Sequence, residues 1–190
     1  MSLESPTAAR TVLLGELREH ALVIGEVVLT SGRRAEYLID AKRAILRPRG
    51  FRALAELVAE RARAWNATAV GGMTMGADPI ACAALAGGAE VSAFFVRKEA
   101  KAHGLSRRVE GPALGPEDRC MLVEDVVTTG GSTIDALAVL RAQGLAVCGV
   151  LAICDRLAGG AQAIEDAAGA PFVSLSTIDE VYPERPDREA

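Results

Sequence analysis

Apolar and polar positions along this chain switch between two periods, and the switching predicts its elements. Over residues 8–20, Val12, Leu13 and Leu17, then Ala21, fall on one side with Glu16, Arg18 and Glu19 opposite, the spacing of an amphipathic helix. Strand-like runs at 26–29 and 36–39 flank Ser31-Gly32-Arg33-Arg34, a turn sequence, and predict a small hairpin outside the main sheet. Pro48 and Gly50 precede a second helix with the stripe Phe51, Leu54, Leu57, Val58, Ala62 and Trp65, where Trp65 reads as core or helix-end packing. Beyond it strands at 69–73, 91–96, 120–123 and 146–154 alternate with helices at 79–85, 134–143 and 161–168. That order indicates βαβ units: an α/β fold with an open, mainly parallel sheet flanked by helices. Gly144 stands where a glycine would end the helix over 134–143. The tail, 182–190, is polar, carries two prolines and is expected to fray.

Composition narrows the classes. At 190 residues, half of them hydrophobic, the chain can build one full core with a small appendage. No apolar run reaches membrane-spanning length, and MSLESPTAARTVLL lacks a basic-then-apolar export signal, so a cytoplasmic protein without membrane contact is expected. Cys82, Cys120, Cys148 and Cys154 sit in apolar surroundings without Cys-x-x-Cys spacing and read as small core residues in a reducing compartment. With only His20 and His103, a histidine-rich metal site is excluded. A net charge of −4 argues against nucleic-acid binding.

The chemistry concentrates in CMLVEDVVTTGGST, residues 120–133. An apolar run suited to a strand buried on both faces ends in the adjacent acids Glu124 and Asp125. Val126 and Val127 lead into Thr128, Thr129, Gly130, Gly131, Ser132 and Thr133, then the helix. Hydroxyls and glycines at a helix entry leave backbone N–H groups free to face an anion, and the helix dipole adds attraction. The loop reads as a phosphate cradle. Two carboxylates repel phosphate, so the acids either hold a metal ion, directly or through water, or accept hydrogen bonds from sugar hydroxyls. Together these point to a ligand with a phosphate and a ribose, with Mg²⁺. A buried strand and a well-capped helix explain the hydroxyl–glycine loop equally well on its own. The acids at the strand end favour function, because open α/β sheets bind ligands there.

A second cluster places Arg97, Lys98, Lys101, His103, Arg107 and Arg108 within 12 residues, and Gly104, Gly111, Pro112, Gly115 and Pro116 prevent a continuous helix. This is either a solvated surface loop or a lid that brings cations to a polyanion. A charge pair at roughly 4 Å gains about 1 kcal/mol in bulk water but about 4 kcal/mol at an effective dielectric near 20, so such a lid matters only when it closes.

VEDVVTTGGST resembles the phosphoribosyl-diphosphate-binding motif of type I phosphoribosyltransferases. Arg97-Lys98-x-x-Lys101-x-His103-Gly104 resembles the catalytic loop of the orotate phosphoribosyltransferases. Leu29-x-Ser31-Gly32-Arg33 with Tyr37 and Asp40 is similar to that family's early ligand-binding segment. The segment 71–79 stands at its glycine-rich ligand loop, and Cys154-Asp155-Arg156 where members carry an arginine that contacts orotate. Thr30 and Met75-Gly76 depart from the lysines many members have, as in the actinobacterial-type variant. The resemblance spans about 28–156 and implies one phosphoribosyltransferase domain over 1–190, with a hood from about 1–45 and a core sheet over about 46–170. It implies Lys101, His103 and Asp125 as catalytic residues. Arg97, Lys98, Lys101, His103, Glu124, Asp125 and residues 126–132 would bind phosphoribosyl diphosphate, and Thr128 and Arg156 orotate. Mg²⁺ would be met near Glu124 and Asp125 through ligand and water, not directly. A homodimer whose lid residues are shared between subunits is implied as well. Phosphoribosyl transfer to a purine, a non-catalytic phosphoribosyl-diphosphate sensor and a nucleotide-dependent kinase are the competing readings. The lid and the acidic balance oppose the sensor, and the absence of Gly-x-x-x-x-Gly-Lys-Ser/Thr opposes the kinase.

Overall fold

Thr7 starts the first helix: its Oγ1 accepts from the Arg10 backbone N–H at 3.2 Å, satisfying one of the donors a helix start leaves free. The computed structural model describes residues 7–28, 34–99 and 108–188. Helix α1 (Ala8–Glu16) continues through a π-turn, Leu17–Ala21, into strand β1 (Leu22–Val28), which pairs antiparallel with β2 (Arg34–Ile39). This is the expected hairpin, and it forms a sheet of its own. Arg34 opens β2 rather than closing the turn, and residues 29–33 lie outside the described ones. A short helix α2 (Lys42–Ile45), not expected, precedes α3 (Pro48–Ala64). Pro48 and Gly50 lie inside the first turn of α3, where proline's missing N–H has no partner to lose. Trp65 caps that helix, with the Arg61 guanidinium 5.2 Å from its ring centroid.

The main sheet is built from β3 (Ala69–Met73), β4 (Ser92–Val96), β5 (Val109–Glu110), β6 (Arg119–Val127), β7 (Ala146–Asp155) and β8 (Phe172–Thr177), in the order β5-β4-β3-β6-β7-β8. Only β5 runs antiparallel. The helices α4 (Asp78–Ala86), α5 (Gly131–Ala142), α6 (Gly160–Ala168) and α7 (Ile178–Val181) complete the chain. Successive strand residues face opposite sides, so alternate positions feed two cores. Val70, Met121, Val123, Leu151 and Ile153 pack with α1, α3 and α4, while Ala69, Cys120, Leu122, Val150 and Ala152 pack with α5 and α6. Gly144, at φ +74°, ends α5 as expected: its N–H donates to Arg141 O and that of Leu145 to Leu140 O, the paired bonds of a left-handed helix stop.

Several expectations need correcting. β6 runs on to Val127, beyond the expected end at residue 123, so Glu124 and Asp125 lie within the strand rather than at its end. β8 and α7 carry no strong periodic signal and were not expected. Cys82 is exposed and Cys148 half-buried, so only Cys120 and Cys154 are true core cysteines. The tail through 188 docks instead of fraying, with Tyr182 edge-on to the Tyr37 ring at 5.3 Å. Among the described residues no helix is long and apolar enough to cross a membrane.

Close strand packing makes a sharp prediction at Gly71. An added Cβ would stand 2.2 Å from the Phe94 carbonyl oxygen and 2.5 Å from its ring, with neighbouring backbone as the obstacle. Gly71→Ala is expected to lower stability by about 1–3 kcal/mol, read as a reduced urea midpoint at unchanged slope.

Candidate active site

Strand order reverses between β3 and β6: β4 and β5 lie to one side, β7 and β8 to the other. Loops leaving the two strands in opposite directions open a crevice at such a point. β3 delivers residues 74–77 to it and β6 delivers residues 128–130. The segments touch, since an added Cβ at Gly76 would stand 2.6 Å from Asp125 Oδ1.

The β6–α5 turn forms a cup of about 180 Å³ lined by residues 126–133. Gly130 sits at φ +82° as the cap of α5, and an added Cβ would meet Ile164 at 2.8 Å, so this position needs glycine for both shape and space. Thr128 and Thr129 are exposed, and Gly131 and Ser132 open the helix, whose first N–H groups face the cup without intrahelical partners. Val127 is buried, and its carbonyl accepts from the Arg156 N–H at 2.8 Å, bringing the end of β7 alongside.

The two acids have different surroundings. Glu124 is only 5% exposed, and its Oε2 accepts from Ser132 Oγ at 2.6 Å and Thr133 Oγ1 at 3.1 Å. Burial pushes its carboxyl up to about 7; the Ser132 and Thr133 hydroxyls pull it down, and the neighbouring Asp125 charge pushes it up further. Asp125 points to the opposite face of β6. Its Oδ2 accepts from Lys42 Nζ at 3.0 Å and its Oδ1 from the Val126 N–H at 2.9 Å. Lys42 also lies 2.9 Å from Asp40 Oδ1. Burial works to lower the Lys42 pKa, but the bonds to Asp40 and Asp125 outweigh it and leave the ammonium raised. Lys42 is a site residue that sequence reasoning missed: 83 positions separate it from Asp125, and its local pattern is that of any short helix start.

Of the cationic cluster, Lys101, His103 and Arg107 lie outside the described residues. The stem is visible. The Arg97 N–H donates to Arg108 O at 2.7 Å, while Arg108 Nε and Nη2 donate to the carbonyls of Arg97 and Lys98 at 3.0 and 2.9 Å. Arg108 therefore ties the segment's two ends together. Arg97 and Lys98 are exposed beside a cleft of about 620 Å³ that also touches Thr74 and Met75 of the β3 loop. Arg156 lies half-buried after β7, its Cζ 5.0 Å from the Tyr37 ring centroid and its Nη2 donating to Tyr37 Oη at 2.9 Å.

The chain is similar to orotate phosphoribosyltransferases in sequence and in fold. It is 45% identical over 174 residues to an orotate phosphoribosyltransferase of Corynebacterium glutamicum, covering 91% of this chain and 94% of that one. Among solved structures, the orotate phosphoribosyltransferase of Mycobacterium tuberculosis with Fe(III) dicitrate superposes at a TM-score of 0.81, with 38% identity over 92% of this chain and 99% of that one. The same enzyme in complex with 5-phospho-α-D-ribosyl 1-diphosphate gives 0.77, at 33% identity over 91% and 98% of the two chains. No protein-family model matches the chain.

The raised Glu124 carboxyl makes stability fall with pH. Between 4.5, its ordinary value, and about 7, the folded chain holds this proton more tightly than the unfolded chain, so the advantage present below 4.5 is lost as pH rises through 7. Glu124→Gln is accordingly expected to stabilise the fold by about 1–3 kcal/mol at pH 8 and by much less at pH 5. Thermal unfolding at both pH values checks it; an equal effect at each would show that the buried charge is not the cause.

Proposed function

This chain belongs to the orotate phosphoribosyltransferase family and is a pentosyltransferase of pyrimidine biosynthesis, and from that premise we propose how its residues carry the reaction. The 5-phosphoribosyl group passes from phosphoribosyl diphosphate to orotate. The bond from C1 to pyrophosphate oxygen breaks, the bond from orotate N1 to C1 forms as the N1 proton passes to water or the departing pyrophosphate, and orotidine 5′-phosphate and pyrophosphate leave. The observation that carries this reading is Asp125 at the switch point, aimed across the crevice while the neighbouring turn offers an anion cup.

In this reading the backbone amides of residues 128–132 hold the 5′-phosphate, and the aligned dipole of α5 adds to that grip. Thr128 stands between the cup and orotate. Asp125 accepts from the ribose hydroxyls and stabilises the positive charge that develops at C1, with Glu124 behind it fixing the turn. Val126 and Val127 line the floor of the ribose site. Arg97, Lys98, Lys101 and His103 meet the pyrophosphate, and Lys101 and His103 neutralise it as it departs. Arg156 takes the acidic edge of orotate in its guanidinium fork.

Mg²⁺ fits this donor set as an ion held mainly by substrate oxygens. Asp125 and Glu124, whose oxygens accept hydrogen bonds from the protein, would meet the ion through water. Bound there, it would supply charge to the pyrophosphate and the ribose hydroxyls. We place the whole chain in one catalytic domain, with residues 1–45 as its hood. The enzyme works in the cytoplasm, as a homodimer whose lid residues serve the neighbouring subunit, without nucleic-acid or membrane partners.

Loss of orotate ultraviolet absorbance with phosphoribosyl diphosphate and Mg²⁺ is the direct assay. Asp125→Asn is expected to lower kcat about a hundredfold, and an unaltered kcat would remove Asp125 from the chemistry. Mixing Lys101→Ala with Asp125→Asn subunits is expected to restore part of the lost activity. No recovery in confirmed heterodimers would mean that sites are not shared.

A further inference from the structure

Three segments far apart in sequence meet around one guanidinium. The Arg156 group lies over the Tyr37 ring and donates to its hydroxyl. That hydroxyl donates onward to the Asp187 carboxylate, 2.9 Å from Oδ2 and 3.0 Å from Oδ1. Asp187 Oδ2 stands 3.8 Å from Arg156 Nη2, and its Oδ1 3.1 Å from Arg185 Nε. Arg185 also pairs with Asp179 in α7, while Tyr182 packs edge-on against Tyr37. A tail expected to fray is thus held at several points, and its carboxylate ends on the arginine at the rim of the crevice.

The bond directions are consistent. Tyr37 has one proton, which goes to Asp187, and its oxygen accepts from Arg156. Burial, together with the Asp187 bond, raises the phenol pKa, so it stays a donor at neutral pH. A guanidinium carries five donors, and Tyr37 uses one. Asp187 stands at ion-pair rather than hydrogen-bonding distance, and its own charge is shared with Arg185. The Arg156 fork therefore keeps donors for a ligand while its position is set from behind.

We propose that Tyr37 and Asp187 form a latch that positions Arg156 for the acidic edge of the pyrimidine, making the C-terminal tail a specificity-determining part of the base site. The proposal rests on the reading of Arg156 as an orotate contact. An unlatched arginine samples many rotamers, and binding orotate must then freeze it, which weakens affinity for that substrate alone. Asp187 is a positioning residue and touches no substrate. The opposite role, a tail carboxylate that competes with orotate for Arg156, predicts the reverse effect and is decided by the same measurement.

The experiment is steady-state kinetics on the full chain, varying orotate and phosphoribosyl diphosphate separately. Arg156→Gln comes first, with an expected rise in orotate KM of at least about tenfold. Asp187→Ala, and a chain ending at residue 186, are expected to raise orotate KM about fivefold, with kcat and the KM for phosphoribosyl diphosphate within about twofold. Asp187→Glu should restore most of the loss, and Asp187→Ala should add nothing in the Arg156→Gln background. An orotate KM that stays level or falls in both tail variants overturns the latch. If Arg156→Gln itself leaves orotate KM unaltered, the base-site reading has failed instead. Melting temperatures within a few degrees of the parent separate a local effect from unfolding, and a parallel loss of both substrates' KM values and kcat also counts against the latch.

Discussion

A carboxylate buried at position 124 demands donors, and the way this chain supplies them shapes the site. An unpaired charge in the interior costs several kcal/mol on the order-of-magnitude scale for buried ions, so Glu124 must be met by hydrogen bonds or hold a proton. Ser132 and Thr133, in the first turn of α5, supply two. The bonds clamp the helix start to the strand and leave only a short loop between them. That loop is the cup proposed to hold the 5′-phosphate. Because strand residues alternate faces, fixing Glu124 toward α5 sends Asp125 to the other side, where Lys42 and the Gly76 backbone receive it. The alternation that divides the core into two layers also gives two adjacent acids different partners.

The N-terminal elements, α1 to α2, are attached to this arrangement through side chains rather than through the main sheet. Leu13 and Leu17 of the first helical segment are fully buried in the core shared with α3. Arg10 Nη2 meets Glu180 Oε1 at 2.7 Å, and Arg18 Nε donates to the Glu180 carbonyl at 2.8 Å, so the first and last helical segments clasp each other. Partly exposed ion pairs of this kind add little to stability, typically below about 1 kcal/mol each. Their effect is orientation. The apolar contacts hold the first helical segment against α3, and the polar ones tie it to α7.

Family membership, drawn from sequence identity across nearly the whole chain, agrees with the resemblance read from a few short motifs. The reason is local. The cup is a chain-continuous device of strand end, glycine and helix start, and all its parts lie within residues 124–133. Such a device leaves its mark in the order of residues. The groups that face it across the crevice come from distant segments and leave none.

The division between sequence and tertiary structure follows from this. Local stereochemistry and period determined the alternating strands and helices, the hairpin, the glycine stop at Gly144 and the cup around Gly130. Each depends on neighbours within one turn or one strand, which the sequence states directly. Only the folded chain decided that β6 carries the acids within the strand, that Cys82 faces out, that β8 forms an edge and that the tail docks. The same holds for Lys42 with Asp125 and for Tyr37 and Asp187 with Arg156, pairs separated by 83, 119 and more than 30 positions. Such pairings follow from strand order and the packing of layers, which no window of sequence contains.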